Sequence, residues 1–530
     1  MAPNGDQQIK ESFSQRVEKL EKAAAPHIQK MKAADEAKYG AKKVGGRYLD
    51  NKATIRSTEL YKLAYKAPKG GHLHIHFNSC LGPNVLLDIA AENAIKHRMY
   101  ISIDGDGALT KVNLHTAKIQ FHFLAADEEK VKSIFDSTYK GRKPTTPTPE
   151  THEKMLFKEF LDDFEEYIGR DALPRNIQIA GKDDDSKGLA MRWLQQKLVF
   201  SAGEVTYDKG SPATVEKQWR TFNTRTQMMK GLFNYEYAYR RYTRLLLSEF
   251  VKENVHFDLG KIDFALKECL AMKKDPKIGL YIAGFDVIGP ENKPHCLKYF
   301  RTRFQQFQQD CENSHVKCPF LFHAGESHED PDDNLSVAME LGSKRIAHGF
   351  CIPDNHRVQT WAKNKQVCVE CCPISNEILG LAPFIEDAVV YKLMAKGIPC
   401  ALASDNPTIF SSNLSYDFYQ FMIGDQNFIL ARWRKLMKDS LTHAVWNSEQ
   451  EKNTVVKNWE GRYIRFLQDI IFTPNTVKEK VKGQSKSSGH KVTSPSVQPA
   501  AVTSTLRAST PPTDTNVVLL RQSRAGAYYH

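Results

Sequence analysis

The stretch that decides the fold runs from residue 319 to residue 405 and contains four short apolar runs, PFLFHAGE (319–326), KRIAHGF (344–350), QVCVECCP (366–373) and IPCALASD (398–405). Each run ends at a Gly, a Pro or a polar residue, and a helix-like segment follows most of them. Strands that alternate with helices indicate βα units and a parallel sheet. Continuous apolar runs, in place of a two-residue alternation, are typical of strands that are covered on both faces.

Three similar runs precede this stretch: HLHIHF (72–77), ENVHFDL (253–259) and LYIAGFDVIG (280–289). Polar and ionisable residues stand at the C-terminal ends of the runs, which is where a TIM-type barrel assembles its active site. A doubly wound sheet would produce the same alternation. The pattern therefore predicts an α/β fold and leaves these two topologies open.

The rest of the chain divides by composition. Residues 1–60 indicate a polar, helical N-terminal extension, residues 61–475 the α/β unit, and residues 476–530 a disordered basic tail rich in Ser, Thr and Pro. A charged and Pro/Thr-rich segment at about 100–215, which includes KGRKPTTPTPETHEK (140–154), interrupts the rhythm. We interpret it as a partly flexible insertion between the first and second strands.

The net charge of +12 does not favour a nucleic-acid partner, because residues 477–530 contain eight Lys/Arg and two Asp/Glu, or half of the excess (8 − 2 = +6). The apolar runs are too short to span a membrane. The N-terminus is polar from Met1 onward and predicts no signal peptide. Ten cysteines without a disulfide-scaffold spacing indicate reduced thiols, so a cytoplasmic location is expected.

Candidate metal ligands stand at the ends of four runs. His74 and His76 are two residues apart, so an extended chain directs both imidazoles to one face, and neutral imidazole is a common zinc ligand. An alternating strand with a polar face in solvent would give the same spacing.

The other three runs carry His323 and Glu326 in FHAGES, His348 in RIAHG and Asp405 in ALASDNP. Each has an ordinary structural explanation: an acid at a helix N-terminus, a buried core histidine, a turn residue. Four unrelated explanations would have to coincide at four strand ends. The joint pattern therefore favours one metal site over separate structural roles.

Seven motifs, in this order, resemble the adenosine deaminase-related growth factor branch of the adenosine/AMP deaminase family, which belongs to the metal-dependent hydrolases: PKGGHLHIH (68–76), AGFDVIGPEN (283–292), FHAGES (322–327), RIAHGF (345–350), CCPISN (371–376), ASDNP (403–407) and LSYDFY (414–419). The resemblance extends over residues 62–471. It implies a TIM-type (β/α)8 barrel that hydrolyses adenosine or 2′-deoxyadenosine to the inosine form plus ammonia. It also implies one Zn²⁺ per chain, with a homodimer as the oligomer to consider.

The same resemblance implies a role for each candidate: His74, His76, His323 and Asp405 as zinc ligands, Glu326 as the acid that protonates the purine ring, His348 as the residue that positions the hydroxide, and Gly289 and Asn406 as purine contacts. Zinc lowers the pKa of bound water to about 7, which suits hydrolysis at neutral pH. Asn406 stands where the family has a second Asp, so the negative charge is lost there although hydrogen bonding is kept.

Two further features depart from known patterns. Cys368 and Cys371 form a CxxC, but it lacks the HxE and PCxxC arrangement of base-editing zinc deaminases, so buried thiols are expected there. Residues 254–280 have room for one βα unit fewer than the family has, which gives seven strands. Strand number and shear are linked in a barrel, so either another segment supplies a strand or the sequence lacks one.

Two alternative functions stay open. An adenine-nucleotide (AMP or ATP) deaminase would share the metal site and need cations for the phosphate, and the candidates are Arg220, Arg225, Arg240 and Arg241. A catalytically impaired adenosine-binding or signalling protein is favoured by Asn406 and by the shortened barrel. The intact set of histidines and Glu326 argues against impairment.

Overall fold

A computed structural model describes residues 12–124, 131–142, 152–174, 188–206, 211–253, 263–276, 279–287, 291, 296–426 and 428–472. The tail predicted at 476–530, the residue Gly289 and all of ENVHFDL after Glu253 lie outside these residues. The strand number of seven and the disorder of the tail therefore stay predictions.

Four helices open the described chain: α1 (Phe13–Tyr39), α2 (Ala41–Val44), α3 (Tyr48–Ser57) and α4 (Glu59–Lys66). A capping box at Ser12 begins α1, which continues through Pro26 as a single helix. Its narrow buried face includes Val17 and Ile28. This face packs against the C-terminal helices, so the polar N-terminal segment belongs to the folded body.

The described parts of the segment interpreted as a partly flexible insertion contain regular secondary structure, and its flexibility stays a prediction. After α5 (Pro83–Ala90), the strands β1 (Met99–Ile103), β2 (Ile119–Phe123) and β3 (Met155–Leu156) form an antiparallel sheet in the order β2-β1-β3. The helices α6 (Phe157–Ile168) and α7 (Gly188–Leu198) follow it. All five side chains of β1 are buried. The strand was missed because its apolar run is short and stands among charged residues.

The parallel sheet is made by the four runs of the deciding stretch. Its strands β4 (His323–Ala324), β5 (Arg345–His348), β6 (Cys368–Cys371) and β7 (Cys400–Leu402) pair in sequence order. Three helices lie between the insertion and the sheet region, α8 (Pro212–Phe233), α9 (Glu236–Glu253) and α10 (Asp263–Lys274). The sheet region contains α11 (Arg301–Asn313), α12 (Asn334–Glu340), α13 (His356–Asn364), α14 (Pro373–Ile378) and α15 (Val389–Ala395). After β7 come α16 (Pro407–Phe410), α17 (Leu414–Gly424), α18 (Leu430–Thr442) and α19 (Glu449–Phe472).

The runs HLHIHF and LYIAGFDVIG were predicted as strands, and over their described residues each forms a single parallel bridge instead. Ile75 pairs with Asp405 beside β7, and Phe285 pairs with Phe320 beside β4. Short 3₁₀ turns, Phe77–Ser79 and Gly279–Tyr281, shorten both extended segments.

The order across the sheet is therefore the segment of Phe285, then β4, β5, β6 and β7, then the segment of Ile75. This order places the first run beside the last. This is the neighbour order of a (β/α)8 barrel, and the predicted TIM-type α/β fold is confirmed.

Candidate active site

The C-terminal ends of the sheet bring six candidate side chains into one cluster: His74, His76, His323, Glu326, His348 and Asp405. All are buried except His76, which is partly exposed. The imidazole centroid of His74 lies 4.5 Å from that of His323 and 4.9 Å from that of His348. Residues separated by up to 331 positions in sequence thus share one pocket.

Three imidazoles of this cluster converge as metal ligands do. His74, His76 and His323 each offer a nitrogen within 4.8 Å of the others. The Nδ1 of His323 lies 2.7 Å from Oδ2 of Asp286. A carboxylate only accepts hydrogen bonds, so Nδ1 is the donor in this contact, and in a neutral ring the lone pair is then on Nε2. This Nε2 is buried and has no hydrogen-bond partner among the described residues, so it is available to coordinate a metal ion.

Asp405 supplies an oxygen to the same point. Its Oδ1 lies 2.7 Å from Nε2 of His76 and 3.2 Å from Nε2 of His74. The Oγ of Ser375 donates to its Oδ2 at 2.8 Å, and the Nδ2 of Asn406 donates to Oδ1 at 2.7 Å. Burial favours the neutral acid, but the two histidines outweigh it and hold the pKa of Asp405 well below its usual range. The carboxylate is therefore ionised and available as a ligand.

A buried ion pair, Glu370 with Arg345, contacts the Nδ1 side of the His74 ring. The Nδ1 of His74 lies 3.4 Å from Oε2 of Glu370, whose other oxygen accepts a hydrogen bond from Nε of Arg345. Burial opposes the charge of Glu370, but Arg345 and His74 overcome it and lower the pKa of this carboxyl. Burial likewise opposes a charged His74, and hydrogen bonds to Asp405 and Glu370 nevertheless raise its pKa to about 10. The carboxylates of Asp405 and Glu370 thus favour a positive charge at this point of the site.

Glu326 and His348 lie together at the edge of the ligand group. The Nε2 of His348 is 3.4 Å from Oε1 of Glu326. Burial, aided by the charges of Asp405 and Glu291, raises the pKa of Glu326 well above its usual value. Burial and the nearby His74 lower the pKa of His348 well below its usual value. A neutral carboxylic acid thus faces a neutral imidazole, which is a pairing suited to proton transfer.

The backbone is unusual at the two strand ends that carry His348 and Asp405. Their φ angles are 62° and 55°, in the left-handed region that non-glycine residues avoid. Such conformations cost about 1–3 kcal/mol each and occur mostly at functional sites. Gly349, at φ 52°, continues the first turn, and a Cβ there would lie 2.6 Å from Cδ1 of Ile352. The turn after β5 therefore requires glycine.

Residues 269–459 match the family model described as adenosine deaminase. This segment is therefore similar to adenosine deaminases. It contains His323, Glu326, His348 and Asp405, whereas His74 and His76 precede it in sequence. The fold completes the site by placing the first run beside β7.

Curated relatives carry the same name. The chain is 35% identical over 207 residues to adenosine deaminase 2 of Homo sapiens, a match that covers 38% of this chain and 40% of that protein. It is 31% identical over 196 residues to the adenosine deaminase of Phlebotomus duboscqi, covering 36% of each. The chain thus spans about two fifths of the length of the curated relatives it matches.

Among solved structures, the N6-mAMP deaminase of Arabidopsis aligns with a TM-score of 0.43 at 12% identity. The alignment covers 76% of this chain and 99% of the Arabidopsis chain.

The cluster is supported by residues that sequence reasoning missed. Asp286 orients His323, and Glu370 with Arg345 supports His74. Their signals were present, since Asp286 and Glu370 are each an acid within an apolar run. No spacing rule connects such residues to the histidines they contact, because the contacts cross between strands.

The remaining candidates have mixed outcomes. Asn406 is buried beside Asp405, and Gly289 lies outside the described residues. Each of the four arginines considered for phosphate binding already has a carboxylate partner, at distances of 3.5, 2.8, 2.7 and 3.0 Å for Arg220, Arg225, Arg240 and Arg241. Cys368 and Cys371 are buried thiols, as expected. Within the described residues, no helix has the length and apolar character needed to cross a membrane.

Proposed function

We propose that this protein is a zinc-dependent deaminase that hydrolyses adenosine or 2′-deoxyadenosine to inosine or deoxyinosine and ammonia. The observation that carries the proposal is the cluster in which three imidazoles and the carboxylate of Asp405 converge beside the buried Glu326. The family match of residues 269–459 and the names of the curated relatives support the same reaction.

The residues present fit a zinc ion. His74, His76 and His323 offer nitrogen ligands and Asp405 offers an oxygen ligand, a set that zinc accepts. The buried Nε2 of His323 has no hydrogen-bond partner among the described residues, and a metal ion would supply one. The contact between His323 and Asp286 is the carboxylate–histidine support common behind zinc ligands. When bound, zinc supplies Lewis acidity that makes water a nucleophile at neutral pH.

Glu326 is proposed to donate a proton to the purine ring nitrogen as water adds to the neighbouring carbon. Its raised pKa keeps the proton in place at neutral pH. The backbone N–H of Glu326 donates to Oε2 of Glu291 at 3.0 Å, which fixes the turn that carries the acid. Burial raises the pKa of Glu291 to about 8, so this supporting carboxyl is mostly neutral too.

His348 is proposed to orient the attacking water and accept its proton. Its lowered pKa leaves the imidazole neutral, as a base must be. The Nδ1 of His348 lies 3.3 Å from the side-chain amide of Asn376. For His348 to act as the base, Nδ1 carries the ring proton and the Asn376 amide is turned to accept it through Oδ1, so that Nε2 keeps the lone pair that accepts the proton of water. The ring lies against Glu326, so a proton can pass between the two groups.

Asn406 is proposed to contact the purine through its carbonyl oxygen, since its amide nitrogen is engaged by Asp405. The substitution of Asn for Asp at this position brings an N–H to the ligand carboxylate in place of a second negative charge. We also propose a cytoplasmic protein, which the ten cysteines support because all are thiols. Neither a nucleic acid nor a membrane is proposed as a partner, and a homodimer is the proposed oligomer.

The test is ammonia release from adenosine, 2′-deoxyadenosine, AMP, ATP and adenine, measured with the metal content of the same preparation. The proposal expects turnover of the nucleosides with about one zinc per chain, and loss of both zinc and turnover in His74→Ala. Turnover by metal-free protein would contradict it. Preference for AMP or ATP would favour the nucleotide deaminase, and zinc binding without turnover would favour the impaired protein.

A further inference from the structure

A second cleft, separate from the metal cluster, lies between the N-terminal helices and the loops that follow the first run and β7. It has a volume of about 730 Å³, which is within the range of about 300–1,000 Å³ typical of small-molecule sites. Lys52, Arg56, Lys62 and Lys66 line it, and its described lining contains no Asp or Glu. The cleft thus has the electrostatics of an anion site.

The cations are arranged by helix geometry. Lys52 and Arg56 are four residues apart on α3, and Lys62 and Lys66 are four residues apart on α4, so each pair shares one helix face. Like charges at this spacing destabilise a helix by about 0.2–0.5 kcal/mol. Two adjacent helices present such a pair to the same cleft, although the pairs do not stabilise the helices themselves.

Little in the protein neutralises these charges. The Nζ of Lys62 forms an exposed ion pair with Glu59 at 2.6 Å. For Lys52, Arg56 and Lys66, no carboxylate lies within ion-pair distance among the described residues. Burial and the charge of Arg56 lower the pKa of Lys52 to about 8, as expected for a partly buried cation that lacks an acid. A bound anion would reverse that shift.

The cleft also contains aromatic surface. Tyr61 and Tyr65, again four residues apart on α4, line it together with Tyr416. The rings of Tyr61 and Tyr416 stack with centroids 4.3 Å apart, and Tyr65 is 41% exposed. A flat heterocycle can stack on an exposed tyrosine, and phosphate suits the paired cations. A nucleotide combines both groups at the size of the cleft.

We propose that this cleft binds the phosphate of a nucleotide, through Lys52, Arg56 and Lys66, at a site distinct from the metal cluster. Its wall includes Ile75, which stands between two candidate metal ligands, and Pro407, which follows Asn406. Nucleotide binding therefore contacts the same two segments that carry His74, His76 and Asp405. The inference does not depend on the proposed deaminase reaction.

The test compares IMP with inosine by calorimetry on the full-length, zinc-loaded protein, because neither compound has the amino group that a deaminase would remove. We expect IMP to bind at least about tenfold more tightly than inosine, with an affinity that falls as salt rises. The double variant Lys52→Gln/Arg56→Gln should remove this advantage. Lys66→Gln alone should reduce it, which keeps the test valid if the double variant is unstable.

The matched control is Lys392→Gln/Lys396→Gln, an exposed pair with the same spacing and charge that lines neither cleft. It should leave the IMP affinity unchanged. Equal affinities for IMP and inosine would overturn the proposal, as would IMP binding that survives in both cleft variants, since the nucleotide would then occupy the metal site. Equal losses in the control and in the cleft variants would also overturn it. Adenosine turnover is measured separately, so failure of this proposal and failure of the deaminase proposal give different results.

Discussion

At the scale of single residues, the two groups of the FHAGES motif can be separated by experiment. Glu326→Gln keeps the size and hydrogen bonding of the side chain but removes the proton it is proposed to donate. We expect kcat for adenosine to fall by about 10²–10⁴-fold, the usual contribution of a general acid. Zinc content, measured by mass spectrometry, should match the wild type because the four proposed ligands are unchanged.

His323→Ala is the comparison for that variant. This substitution removes a proposed zinc ligand, the buried Nε2 of His323, so the variant should lose zinc and activity together. Loss of zinc in Glu326→Gln, or near-normal kcat in that variant, would show that the roles in this motif are assigned wrongly.

Asp286 provides a second prediction at this scale. It accepts hydrogen bonds from both the backbone N–H and Nδ1 of His323, at 2.9 and 2.7 Å. Asp286→Asn weakens this support, and loss of such partners typically reduces metal affinity about 10–100-fold. We expect the zinc dissociation constant, measured by competition with a chelator, to rise by that factor. Asp162→Asn, which removes an exposed carboxylate on α6, should not change it; equal constants in all three proteins would contradict the role of Asp286.

At the scale of elements, α14 is tied to the start of α3 by one buried carboxyl group. Glu377 accepts a hydrogen bond from the backbone N–H of Tyr48 at 2.9 Å, and burial raises its pKa to about 8. Between pH about 4.3, where the unfolded group titrates, and pH about 8, the folded protein holds a proton that the unfolded chain has lost. Stability from this group therefore falls as pH rises through that window.

Glu377→Gln should remove this pH dependence, since the amide does not titrate. We expect urea unfolding midpoints of the variant to equal or exceed those of the wild type at pH 8.5, and the difference to shrink or reverse at pH 5. A wild-type pH slope retained in the variant would mean that Glu377 is ionised in the folded protein.

At the scale of the whole molecule, the N-terminal helix is held to the C-terminal helices through Glu21. This carboxylate is 7% exposed and accepts hydrogen bonds from Nε of Arg434 at 2.8 Å and from the hydroxyl of Tyr463 at 2.9 Å. Glu21→Ala leaves both donors without this partner, at a cost of about 1–3 kcal/mol. Thermal or urea unfolding should show the loss.

Glu18 lies one turn earlier on α1 in an exposed ion pair with Lys22 and is the natural control. Glu18→Ala should change the free energy of unfolding by less than about 0.5 kcal/mol. Equal effects of the two substitutions would show that the interface between α1 and the C-terminal helices does not depend on Glu21.

The sequence alone was sufficient to locate the strands of the parallel sheet and the candidate ligands. Buried strands need continuous apolar runs, and the polar residue that ends each run falls at one edge of the sheet, so β4 to β7 and the residues His323, His348 and Asp405 could be located by pattern. Local composition carried less information about β1, whose short run MYISI has charged surroundings, and about the length of the first and third runs, which 3₁₀ turns shorten.

Only the tertiary structure decided which residues touch. The contacts of Asp286 with His323, of Glu370 with His74 and of α3 and α4 with the loops after the first run join segments far apart in sequence. The protonation of Glu326 was likewise decided by burial and by charges from other strands. Periodicity reports the local environment of a residue, whereas the partner across a strand and the pKa it imposes depend on distances that exist only after the chain has folded.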